Sequence, residues 1–188
     1  MNRQTLILAS KSPRRKELLE RMGISFEVME ADIEETEEGD PVRVVVSNAL
    51  RKARKIQERC PERIILGADT IVCLDGQVFG KPRDARDARR MLSALSGQWH
   101  EVYTGVALLT PAQAFTSFER TRVHFVQIRP EEMEAYIQSG EPFDKAGAYA
   151  IQGRAGMLVD RIEGSFSNVI GLPQTLVRDL LIQAETNL

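Results

Sequence analysis

The chain has 188 residues, of which 43% are apolar and 28% charged, with a net charge of −2 at pH 7. That length fits one domain or two small lobes sharing a core. The charge excludes a protein that coats nucleic acid through a general basic field, though not a local basic pocket. No apolar run approaches the roughly 20 residues that cross a bilayer, and the start MNRQTLILAS lacks signal-peptide architecture. Cys60 and Cys73 make neither a disulfide framework nor a zinc site of the usual spacing, so a cytoplasmic location is expected.

Residues 5–9, TLILA, read as a short buried strand. Ser12 is a good N-cap and Pro13 a good first residue for a helix whose apolar side is Leu18, Leu19 and Met22 and whose stop is Gly23. Arg14 and Arg15 fall in its first turn, where positive charge opposes the macrodipole. A bound anion would resolve the conflict, because backbone N–H groups, hydroxyls and guanidinium groups would converge on it. An arginine pair solvated on a helix face is the plainer alternative. The two side chains differ by about 100° around the helix, so at most one is expected to face such a site.

Residues 24–30 read as a strand and 31–40, ADIEETEEGD, as an acidic loop, one or two of whose carboxylates could turn inward onto a divalent cation. Asp40-Pro41 opens a helix to about Arg59 with the stripe Val42, Val45, Ala49, Ala53 and Ile56, and Lys52 borders that stripe.

The segment 63–82, RIILGADTIVCLDGQVFGKP, is the centre of the chain. The run 64–66 ends in small residues, then come Asp69 and Thr70, then the run 71–74, the hairpin dipeptide Asp75-Gly76, and a return strand 77–79 closed by Gly80-Lys81-Pro82. A carboxylate at one strand end and a lysine at its hairpin partner's end suit chemistry on an anion. A turn or cap aspartate is the alternative for Asp69.

Asp84 caps a helix through Leu95, and 98–109 and 115–128 read as long strands joined by a turn at 110–114. His100 and His124 lie in these strands as surface or sheet residues, with no nucleophile in a triad setting. Pro130 starts a helix through Gln138. The glycine- and alanine-rich stretch 141–156, EPFDKAGAYAIQGRAG, reads as a long functional loop, in which the Gln152 amide offers both a donor and an acceptor to a base edge. A strand at 157–162, a turn and extended piece at 164–171, and a last helix after Pro173 with Leu176, Leu180 and Leu181 inward complete an α/β chain with a mixed sheet.

LILASKSPRRKELL at 6–19, ILGADTIVCLDGQVFGKP at 65–82, LSGQWHEVYTGVAL at 95–108, EPFDKAGAYAIQG at 141–153 and VIGLP at 169–173 together resemble the Maf family of nucleoside triphosphate pyrophosphatases. The resemblance covers nearly the whole chain. It implies a Maf/inosine-triphosphatase-like α/β fold: a single domain with a long mixed sheet and two lobes around a central cleft. It implies hydrolysis between the α- and β-phosphates with a divalent metal, Mg²⁺ or Mn²⁺. By motif position, phosphate binding falls on Ser10, Ser12, Arg14 and Arg15. The catalytic set falls on Glu35, Lys52, Asp69 and Lys81, with Glu35 and Asp69 toward the metal. Specificity falls on Arg14, Thr70 and Gln152. Thr70 after the aspartate and Gln152 in IQG look like the dTTP/UTP pyrophosphatases rather than members acting on 7-methyl-GTP. Phe79-Gly80 before Lys81, and Ala150 where glycine is common, depart from the pattern.

The expected partners are a nucleoside triphosphate and a second copy of the chain, with neither a stable nucleic-acid partner nor a membrane. A nucleotide-binding regulator of cell division or septum formation, and a nucleic-acid-binding module, are the alternatives of a different class. The acidic charge and the want of an aromatic-studded basic strand count against the second.

Overall fold

A computed structural model describes residues 5–186. In chain order the elements are β1 (Leu6–Leu8), α1 (Pro13–Arg21), β2 (Phe26–Val28), α2 (Pro41–Gln57), β3 (Ile65–Leu74), β4 (Gln77–Phe79), α3 (Ala85–Leu95), β5 (Trp99–Leu109), β6 (Ala114–Phe125), α4 (Pro130–Gln138), β7 (Val159–Glu163), α5 (Phe166–Ile170) and α6 (Gln174–Thr186). The described strands form one mixed seven-stranded sheet ordered β2-β1-β3-β5-β6-β7, with β4 paired to β3. β2, β1 and β3 run parallel; β3, β5, β6 and β7 are successively antiparallel.

Alternation along β3 sends its residues to two different layers. Ile65 and Ile71 pack with the α2 residues Val45, Ala49, Ala53 and Ile56. Leu66 and Ala68 pack on the opposite face with Leu18, Leu19, Val177 and Leu180 of α1 and α6. Farther along, Val72 joins Leu92 and Leu95 of α3 and Tyr136 of α4. A Cβ at Gly67 would overlap the Ala49 carbonyl oxygen, and one at Gly105 the Val45 carbonyl. Both glycines therefore let the α2 backbone lie directly on the sheet, and α2 brings its polar residues down to β3.

β3 is one unbroken ten-residue strand, so Asp69 sits mid-strand rather than at a strand end or turn. The small residues at 67–68 serve helix approach, not a break, and pairing with β5 runs continuously from Ile65↔Leu109 to Cys73↔Glu101. The stretch 141–156 is not one open loop but carries 3₁₀ turns at Glu141–Asp144, Ala146–Ala148 and Arg154–Leu158. Part of 164–171 is helical: α5 is capped by Ser165, whose hydroxyl accepts the Asn168 N–H at 3.3 Å. Ser12 precedes α1 but caps it with no side-chain hydrogen bond.

Candidate active site

Two strand registers open the site. β1 pairs with β3 as far as Leu8↔Leu66, and β4 resumes at Val72↔Phe79. Among the described residues, 67–71 of β3 are therefore paired on the β5 side only. The gap on the other side is a cavity of about 710 Å³. Its walls come from the β1–α1 turn, the acidic segment, α2, the 80–81 turn and the 143–152 stretch. Crevices beyond the carboxyl ends of parallel strands are the usual ligand sites of α/β sheets.

All ten residues that motif position places in the site, Ser10, Ser12, Arg14, Arg15, Glu35, Lys52, Asp69, Thr70, Lys81 and Gln152, line this one cavity. Asp69 is 4% exposed and Lys52 is 7% exposed. The Lys52 ammonium donates to Asp69 Oδ1 at 2.6 Å and lies 2.7 Å from Glu35 Oε1. Lys81 Nζ is 3.7 Å from Glu35 Oε2 on the open side, with its side chain 57% exposed. Burial alone would raise the Glu35 carboxyl, but Lys52, Lys81 and Arg15 hold it below the usual glutamate range. Glu37, a second carboxylate of the acidic segment, also lines the cavity. Burial and neighbouring Glu35 push its carboxyl up. Gly80 lies directly against the Glu37 carboxylate, the mobile end of an exposed side chain.

Both arginines line the cavity, against the expectation of one, because the cavity wraps the start of α1. Their roles differ. Arg15 is tied into the fold: Nε donates to the Gly171 carbonyl at 2.8 Å, Nη2 to Thr70 Oγ1 at 3.0 Å and Nη1 to Ser10 Oγ at 3.3 Å. Burial lowers its pKa, and Asp69 and Glu35 partly offset this. Among the described residues Arg14 makes one ion pair, to Asp144 at 3.9 Å. Thr104 donates to the Asn168 carbonyl at 3.1 Å, so Thr70 is the donor in the 2.9 Å Thr70–Thr104 contact. Thr70 is thus engaged with Arg15 and Thr104, whereas Gln152 is an exposed residue of the cavity lining.

Glu141 anchors the turn that carries Gln152. Its Oε2 accepts the Arg154 N–H at 3.1 Å, and its Oε1 accepts the Tyr136 hydroxyl at 3.0 Å. A Cβ at Gly153 would overlap the same carboxylate. Asn48, one helical turn before Lys52, is buried against Asp69 and is not among the residues expected from the sequence. The available signal was a polar pair four residues apart on the apolar stripe of α2.

Paired carboxylates, two cations in long ion pairs (Lys81 and Arg14) and the exposed Gln152 amide meet in this cavity. A family model described as Maf-like protein matches residues 5–184. The chain belongs to the Maf family. Among curated relatives, a "dTTP/UTP pyrophosphatase" of Bacillus cytotoxicus is 49% identical over 177 residues, covering 93% of each chain. Proteins of that same description from Gloeobacter violaceus and Dictyoglomus turgidum are each 47% identical, with 95% of each chain covered. Among solved structures, a nucleoside-triphosphatase / dITP/XTP pyrophosphatase from Mycobacterium abscessus matches 65% of this chain and 73% of its own, at 20% identity and a TM-score of 0.43, a likeness too slight to carry an argument.

Proposed function

We propose that this Maf protein is a single-domain nucleoside triphosphate pyrophosphatase that hydrolyses dTTP and UTP to the monophosphate and pyrophosphate. The observation that carries the reading is the convergence of Asp69 and Glu35 on one cationic position, 2.6 and 2.7 Å from Lys52 Nζ, inside a cavity also lined by Arg14, Lys81 and Gln152. The names borne by relatives 47–49% identical over nearly the whole chain support the same reaction and base class.

The carboxylate pair fits a divalent cation. Asp69 and Glu35 share Lys52, Lys81 stands farther off at 3.7 Å, and Glu37 adds a third carboxylate to the cavity lining. Among the described residues, no group of three or more His, Cys, Asp or Glu side chains forms a metal site by itself. Glu35 and Asp69 would hold the cation together with phosphate oxygens, the ligand set Mg²⁺ favours. When bound, it would neutralise charge developing on the triphosphate.

Phosphoryl transfer needs positioning and charge neutralisation more than covalent help. Asp69 takes a proton from the attacking water as its oxygen bonds to the α-phosphorus. The bond from that phosphorus to the α–β bridging oxygen breaks, and pyrophosphate leaves with the electron pair. Lys52 holds the two carboxylates together. Arg14, Lys81 and the amides at the start of α1, beside Ser10 and Ser12, receive the phosphates. Arg15 and Thr70 brace that wall, and Gln152 meets the carbonyl and N–H edge of the pyrimidine.

Cytoplasmic location, a homodimer and the absence of stable nucleic-acid partners belong to the same proposal. No helix among the described residues is long and apolar enough to cross a membrane. The test is pyrophosphate release by purified protein with Mg²⁺ or Mn²⁺ across dTTP, UTP, CTP, dATP, GTP and 7-methyl-GTP. Turnover of dTTP and UTP above the others is expected. Preference for 7-methyl-GTP would overturn the pyrimidine assignment. Binding without release would favour a regulator.

A further inference from the structure

Asn48 is 1% exposed, on the α2 face that meets β3. Its side-chain amide is engaged at both ends. Nδ2 donates to Asp69 Oδ2 at 3.0 Å and to the Thr36 carbonyl at 2.8 Å, and Oδ1 accepts the Thr36 N–H at 3.0 Å. We infer that Asn48 is a positioning residue that locks the Glu35-bearing segment to Asp69, so that both carboxylates face the cavity before nucleotide arrives; this rests on the function proposed above.

The segment from Met29 to Asp40 has neither helix nor strand. Its backbone lacks a ladder partner where Glu35 must be held. Asn48 supplies one, since taking both the N–H and the C=O of Thr36 does what a neighbouring strand would do. The peptide that follows Glu35 is thereby fixed, and with it the direction in which Glu35 leaves the chain.

The same side chain settles Asp69. A carboxylate held at one oxygen turns about its last torsion, while one held at both does not. Lys52 takes Oδ1 and Asn48 takes Oδ2. Each oxygen keeps a further lone pair for a proton or a cation. Among the described residues, every side-chain hydrogen bond of Asn48 goes to one of the two carboxylate-bearing segments. A polar residue kept merely to satisfy the helix or the sheet would not be so placed.

The test uses Asn48→Leu, which keeps the volume and removes all three bonds, and Asn48→Asp, which keeps the acceptor and loses both donors. Steady-state kinetics with UTP are measured well below each variant's melting temperature, together with amide exchange at Thr36. The expected result is a kcat about 10- to 100-fold lower, with KM within about threefold of the parent. Thr36 exchanges slowly in the parent and fast in Asn48→Leu. A folded Asn48→Leu with kcat within about twofold of the parent would overturn the inference. If neither variant folds, the parent decides, because a Thr36 amide exchanging as fast as that of exposed Glu38 contradicts the lock. If the parent releases pyrophosphate from no nucleotide, the proposed function fails by itself, while exchange at Thr36 still reads the lock.

Discussion

Asp69 has a hydrogen bond on each carboxylate oxygen, from Lys52 at 2.6 Å and Asn48 at 3.0 Å. Asp69→Asn preserves shape and removes the charge that a base or cation ligand needs. Its kcat/KM for UTP should fall by about 10²-fold or more. Pyrophosphate release at near-parental rates would remove Asp69 from both roles. Residues of this kind were legible where chemistry and local pattern conflict. Asp69 is a charge inside an apolar run, and Arg14 and Arg15 are cations at a helix start. Asn48 was not, because an amide on a mostly apolar stripe reveals its use only when the acidic segment folds over it. Nor was the bond from Arg15 to Thr70, which joins residues 55 positions apart.

At the scale of elements, the site depends on how closely α2 lies on the sheet. Gly105 stands opposite Asp69 in register, and the Val45 carbonyl occupies the place of its missing Cβ. Gly105→Ala should lift the helix, lower stability by about 1–3 kcal/mol, and weaken activity beyond the loss of folded protein, because Asn48 and Lys52 move with it. Urea unfolding alongside activity per folded molecule checks this; a variant with unchanged midpoint and turnover would show the contact to be slack. The helices α1 to α4 and the hairpin were readable from caps and periodicity, as with Asp40 accepting the Arg43 N–H at 3.0 Å. α5 escaped because five residues show too little periodicity, and the 3₁₀ turns of 141–158 because their order comes from partners such as Glu141 rather than from spacing.

Across the whole molecule, acid should be the weak side. His100 is 2% exposed, packed against Phe125 and within 2.9 Å of the Tyr149 hydroxyl. Burial pushes its pKa down to about 4. The unfolded chain then binds a proton that the folded chain refuses as pH falls from about 6.5 to about 4, so stability drops through that window by roughly 3 kcal/mol. Glu35 acts in the same direction. Its depressed carboxyl contributes stability above the ordinary glutamate pKa that is lost as pH falls through the folded value. Unfolding midpoints at pH 7 and 4.5 should differ less in His100→Gln than in the parent. Equal differences would clear His100 of the effect.

The central claim is that water attacks the α-phosphorus beside Asp69. Hydrolysis of UTP in ¹⁸O-labelled water tests it most directly, with mass spectrometry of both products. Label in the uridine monophosphate and none in the pyrophosphate is the result this chemistry predicts; label in the pyrophosphate would place the attack on the β-phosphorus and contradict it.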